Sequence, residues 1–69
     1  MIYVFKTSVE TKNQVKKLKL HMNEILPNEN WNFDLEDCDK ILRIDSGDNI
    51  VSIIIDLLNS HQFYCEELE

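Results

Sequence analysis

Trp31-Asn32-Phe33-Asp34-Leu35-Glu36-Asp37-Cys38-Asp39-Lys40-Ile41-Leu42-Arg43-Ile44 is the stretch on which the fold turns. Trp31, Phe33 and Leu35 alternate with Asn32, Asp34 and Glu36. That period of two belongs to a strand with one buried face, because successive side chains leave the backbone on opposite sides. Asp37-Cys38-Asp39 interrupts the alternation, and Lys40-Ile41-Leu42-Arg43-Ile44 resumes it at once, so the spacing predicts a hairpin.

Upstream of the hairpin, Val15, Leu18, Met22 and Ile25 recur every three or four residues and predict an amphipathic helix, with Leu20 and Leu26 at the edges of its stripe. Thr11-Lys12-Asn13-Gln14 has the form of a capping box that starts this helix, and Pro27-Asn28 stops it. Earlier still, the β-branched and aromatic run Ile2-Tyr3-Val4-Phe5 reads as a strand feeding the polar loop Lys6-Thr7-Ser8. Downstream, Ser46-Gly47-Asp48 offers N-cap oxygens to a second helix whose Ile50, Ile53, Ile54, Leu57 and Leu58 fall on one side, widened by Val51 and Ile55. Phe63-Tyr64-Cys65-Glu66-Glu67-Leu68 supplies a last strand. Strand, helix, two strands, helix, strand in one chain of 69 residues predicts a single α+β domain spanning 1–69. The order is that of the ferredoxin-like βαββαβ open-faced sandwich, a four-stranded antiparallel sheet ordered 4-1-3-2 with both helices on one face. That order brings the first loop, the Cys38 hairpin and the His61 connection to one end of the sheet.

Composition narrows the function. Thirteen acidic against seven basic residues give a net charge of −6, which repels a phosphate backbone and disfavours nucleic acid as a partner. Lys12, Lys16, Lys17 and Lys19 nevertheless crowd one helix, while Glu66, Glu67 and Glu69 make the far end acidic, so the molecule is electrically polar. The longest apolar run, Ile53-Ile54-Ile55, falls far short of the roughly 20 residues of a membrane span, and a cytoplasmic location is expected. Cys38 and Cys65, far apart in the chain, are read as free thiols.

Across nearly all of its length the chain resembles the heavy-metal-associated superfamily, the copper chaperones and the N-terminal modules of metal-pumping P-type ATPases. The resemblance rests on the element order, on Trp31 to Asp37 followed by Ile41 to Ile44, and on Ile50 and Ile54 ahead of Phe63 to Leu68. In that family a Met-x-Cys-x-x-Cys motif fills the first loop and two thiolates take a soft monovalent ion. Here the loop reads Lys6-Thr7-Ser8-Val9-Glu10-Thr11-Lys12, and the first cysteine is Cys38. Hydroxyls and a carboxylate cannot stand in for two soft thiolates, so no copper binding, no cofactor and no site residue carries over.

The remaining candidates are few. Cys38 with His61 or Cys65, helped by a carboxylate such as Asp37, is an imaginable unconventional site for a metal carrier or sensor, although its spacing matches no motif. Glu36-Asp37-Cys38-Asp39 lacks the ligand spacing and central glycine of a calcium loop and reads as a solvated turn. Cys65 and Trp31 are expected in the core, and His21 at a half-exposed helix position. Nothing suggests an enzyme. If Tyr3, Phe5, Trp31, Phe33, Leu35, Leu42, Ile44 and Phe63 face the helices, period two turns Ile2, Val4, Ile41 and Tyr64 to the open face beside Arg43. The expectation is therefore a metal-site-lacking, non-enzymatic domain that meets a protein partner, or a second copy of itself, through the open sheet face at Ile2, Val4, Ile41, Arg43 and Tyr64, with Arg43 available to a carboxylate, or meets a partner through the basic first helix.

Overall fold

The computed structural model describes residues 1–26, 30–36 and 38–68. Ile2–Thr7 forms β1, Lys12–Ile25 α1, Asn30–Asp34 β2, Ile41–Asp45 β3, Val51–Ser60 α2 and Cys65–Leu68 β4. All neighbouring strands are antiparallel, in the order β2-β3-β1-β4, which is the expected ferredoxin-like arrangement read from its other edge. β1 is the hub, pairing with β3 from Ile2↔Asp45 to Lys6↔Ile41 and with β4 from Val4↔Leu68 to Thr7↔Cys65.

Register decides which side chains are buried. Tyr3 and Trp31 both stand opposite Ile44, and Phe5 and Phe33 both stand opposite Leu42. Residues opposed in an antiparallel pair share a face. Phe5, Leu42, Ile44 and Cys65 from that face join Leu18 and Met22 of α1 and Ile54, Leu57 and Leu58 of α2 in one buried cluster. Both helices therefore cover the same side of the sheet. Each large apolar side chain buried there contributes about 1.5–3 kcal/mol.

The first helix starts as its sequence predicts. The Gln14 amide donates to Thr11 Oγ1 at 3.2 Å, and Gln14 Oε1 accepts from the Thr11 and Glu10 amides at 3.1 and 2.7 Å. Its far end differs in detail. Ile25 is exposed and Leu26 is buried, because Leu26 occupies the C-cap at φ −125° and its backbone has left the helical path. The expected stop at Pro27-Asn28 lies outside the described residues.

Ser46-Gly47-Asp48 does not cap α2. The Asp48 amide donates to Ser46 Oγ at 3.1 Å in a local turn, the N-cap is Ile50, and the Val51 amide donates to Asn49 Oδ1 at 3.2 Å. Ile50, Ile54, Leu57 and Leu58 form the buried stripe, which leaves Ile53 on its shoulder at 47% exposure instead of inside it. At the other end the Gln62 amide donates to the Asn59 carbonyl and the Phe63 amide to that of Leu58, with Gln62 at φ 68°. This is a Schellman cap with glutamine where glycine is usual. It engages the Phe63 amide, and the last strand accordingly begins at Cys65, two residues later than the sequence alternation suggests. Among the described residues, no helix is long and apolar enough to cross a membrane.

Candidate functional site

Hydroxyl groups stitch the first loop to both of its neighbours. Thr7, only 5% exposed, donates from Oγ1 to the Lys40 carbonyl at 2.7 Å and accepts from the Val9 amide at 3.2 Å. The Thr7 amide also points at the Asp39 and Lys40 carbonyls. Ser8 binds the opposite side, its amide donating to the Tyr64 carbonyl at 3.2 Å and its Oγ accepting from the Tyr64 amide at 2.8 Å. Val9 is fully buried between them. The loop is thus tied to the hairpin on one flank and to the start of β4 on the other, with the Thr7 and Ser8 hydroxyls engaged with protein.

The open face carries more charge and less apolar surface than its sequence suggests. Lys6 meets Asp39 at 3.7 Å, Arg43 meets Asp34 at 3.6 Å, and the N-terminal amine meets Asp45 at 3.4 Å. Arg43 therefore already faces a carboxylate of this chain. Ile41, expected to project into solvent, is 5% exposed and lies outside the main core cluster. It stands between Lys6 and Asp34 in the sheet, in the row of the long side chains whose ion pairs cross this face. Val4 is half-buried. Only Ile2 and Tyr64 of the expected strip are well exposed, at 65% and 51%, and they lie at opposite ends of β1, about 20 Å apart at a strand's rise per residue. The Tyr64 hydroxyl donates to Glu66, and that bond is the main reason its pKa lies above the usual phenol value.

A better-formed concavity, missed in the sequence, lies between α1 and the edge strand β2. It is an open groove of about 830 Å³. Val15, Trp31, Phe33 and Leu35 make its floor, with Trp31 and Phe33 in an edge-to-face contact at 6.0 Å, and Lys12, Lys16 and Lys19 rise along the α1 wall. Those lysines are spaced four and three apart, which places them on one side of the helix. The groove rounds the strand edge to Asn32, Asp34 and Arg43 on the open face, where a smaller hollow of about 340 Å³ reaches Ile2. The sequence signal was the lysine run itself. What could not be read was that it overhangs two aromatic side chains.

The cysteines stay apart in character. Cys38 is an exposed free thiol in the hairpin turn, while Cys65 is a buried free thiol whose pKa desolvation raises from 9.0 to about 11. Asp37 lies outside the described residues. His61 packs against His21, ring centroids 4.5 Å apart, a neighbour that its sequence position did not suggest. Among the described residues, no group of three or more His, Cys, Asp or Glu side chains is placed to hold a metal ion.

Fold and groove together define an α+β open-faced sandwich with an aromatic-floored channel along one edge, lined by Lys12, Lys16, Lys19 and Arg43 and by the carboxylates Asp34 and Glu36. Compared with known proteins, the chain matches no family model, no curated protein and no solved structure.

Proposed function

We propose that this is a non-enzymatic protein-contact domain, a relative of the heavy-metal-associated domains without their copper site, which receives an acidic extended segment of a partner in the groove between α1 and β2. The observation that carries the reading is the row of Lys12, Lys16 and Lys19 above Trp31 and Phe33 on a molecule whose overall charge is −6. Cations gathered over an apolar floor favour a ligand that brings both carboxylates and apolar side chains. The form of the ligand follows from the strand beside the groove. β2 pairs with β3 on one side only, so its outer edge offers backbone donors and acceptors to a fifth strand.

The two thiol and phenol groups with displaced pKa values, Cys65 and Tyr64, are both held toward their protonated forms. Exposed Cys38 as a free thiol suits the reducing cytoplasm.

The test uses Trp31, the single tryptophan. A synthetic peptide alternating glutamate with leucine is expected to shift its emission to the blue, with an affinity that falls as salt rises, and to slow amide exchange along Asn30–Asp34. Lys16→Glu should weaken binding at least about tenfold. Equal binding of a peptide with lysine in place of glutamate, or no binding of either at millimolar concentration, would overturn the proposal.

A further inference from the structure

The histidine pair between the helices has no part in the groove. His21 projects from α1 and is exposed, while His61 occupies the C-cap of α2 and is half-buried. Their rings meet at 4.5 Å with planes tilted by 51°. His61 is held from two directions. Its backbone belongs to the Schellman cap, with its amide donating to the Leu58 carbonyl, and its Nδ1 lies 2.9 Å from the Leu57 carbonyl. Ser60 Oγ donates to the same carbonyl at 2.8 Å and lies 3.4 Å from Nδ1; in the tautomer with its proton on Nδ1 the ring donates to the carbonyl and the lone pair is left on Nε2. A backbone carbonyl that fixes the tautomer of an imidazole in this way is the usual support behind a metal-binding histidine.

We propose that His21 and His61 form a two-imidazole site for a divalent transition ion of tetragonal or octahedral preference, nickel(II) or copper(II), with water in the remaining positions. The separation of the rings supports the choice of ion. Imidazole nitrogens bind such metals at about 2.0–2.1 Å, and a ring centre lies about 1.1 Å behind its nitrogen. Two imidazoles in adjacent positions at right angles then have centroids about 4.5 Å apart, and at the tetrahedral angle about 5.2 Å. At 4.5 Å the observed centroids are close enough for the right-angled arrangement, reached when His21 turns its ring. The exposed His21 is free to turn its nitrogen toward the ion, whereas His61 is already set. Occupancy would fasten the third turn of α1 to the end of α2.

Nickel(II) chloride is the probe, since copper(II) would also oxidise the exposed Cys38 thiol. Titrated into the reduced protein at pH 7.5, it is expected to bind one to one and to broaden the imidazole resonances of His21 and His61 together. The melting temperature should rise with nickel in the wild type and stay fixed in His21→Gln, a substitution at an exposed helix position. His21→Gln and His61→Gln should each weaken nickel binding at least about tenfold. Broadening of only one histidine would leave the ion on a single imidazole, and broadening of neither, or unchanged affinity in His21→Gln, would place it on the N-terminal amine or surface carboxylates; each result overturns the proposal. The wild-type resonances decide the matter even if His61→Gln fails to fold.

Discussion

Replacing Thr7 by valine keeps the outline of a buried side chain and deletes one oxygen that serves two hydrogen bonds. The Lys40 carbonyl loses its 2.7 Å donor but keeps the Thr7 amide at 3.2 Å, so its loss is the ordinary net value of about 0.5–1.5 kcal/mol. The Val9 amide fares worse. It belongs to a residue with no exposed surface and loses the hydroxyl it donates to, at a cost of about 1–3 kcal/mol. The added methyl returns about 0.8 kcal/mol. The sum is a destabilisation of about 1–4 kcal/mol, centred near 2. Set against the roughly 3–5 kcal/mol that a single small core supplies, the central value is about half of the total stability. Urea unfolding followed by Trp31 fluorescence should place the midpoint of Thr7→Val at about half that of the wild type, with an unchanged slope. Thr7→Ser retains both hydrogen bonds and should cost only about 1 kcal/mol for its lost methyl. A valine variant within about 0.5 kcal/mol of the wild type, or a serine variant as damaged as the valine one, would refute the view that this hydroxyl holds the first loop in place.

Cys65 makes stability depend on alkaline pH. Its thiol titrates near 9.0 when unfolded and at about 11 when folded, so the buried neutral form stabilises the fold fully below pH 9 and this contribution is lost as pH rises toward 11. The loss is worth a few kcal/mol at most and should be missing from Cys65→Ala, whose urea midpoint will fall less over the same range; parallel curves for the two proteins would contradict it. Ile41→Asp sets a carboxylate in a buried position between Lys6 and Asp34 and should cost about 3 kcal/mol or more, the greater part of the stability that a core of this size supplies. Retention of the wild-type circular dichroism and midpoint in that variant would mean that Ile41 is not packed as described.

The elements that a periodic pattern could define were legible in the sequence. Trp31 and Phe33 against Leu42 and Ile44 announced the hairpin, and Thr11 with Gln14 announced the start of α1, because each signal is local and has one structural meaning. Where a residue sat at an element's end, the pattern misled. Leu26 enters the core because the chain leaves the helix there, and Ile53 stays outside because the buried stripe of α2 runs through Ile54, Leu57 and Leu58, which leaves Ile53 on its shoulder. Ile41 was assigned correctly to the open face but wrongly to solvent, since alternation says which way a side chain points and nothing of what covers it. The groove and the histidine pair were beyond reach for a similar reason. Lys16 and Trp31, like His21 and His61, become neighbours only through the packing of separate elements.

The register Val4↔Leu68 places the first and last strands side by side and antiparallel, so the chain arrives and departs at one corner of the sheet. Adjacent strands are about 4.8 Å apart and Ile2 is two residues from Val4, which leaves a gap of about 8 Å between Ile2 and Leu68. The same corner allows the whole sheet to be spliced into a surface loop of another protein, entering and leaving as a hairpin would, with the groove and the histidine pair intact.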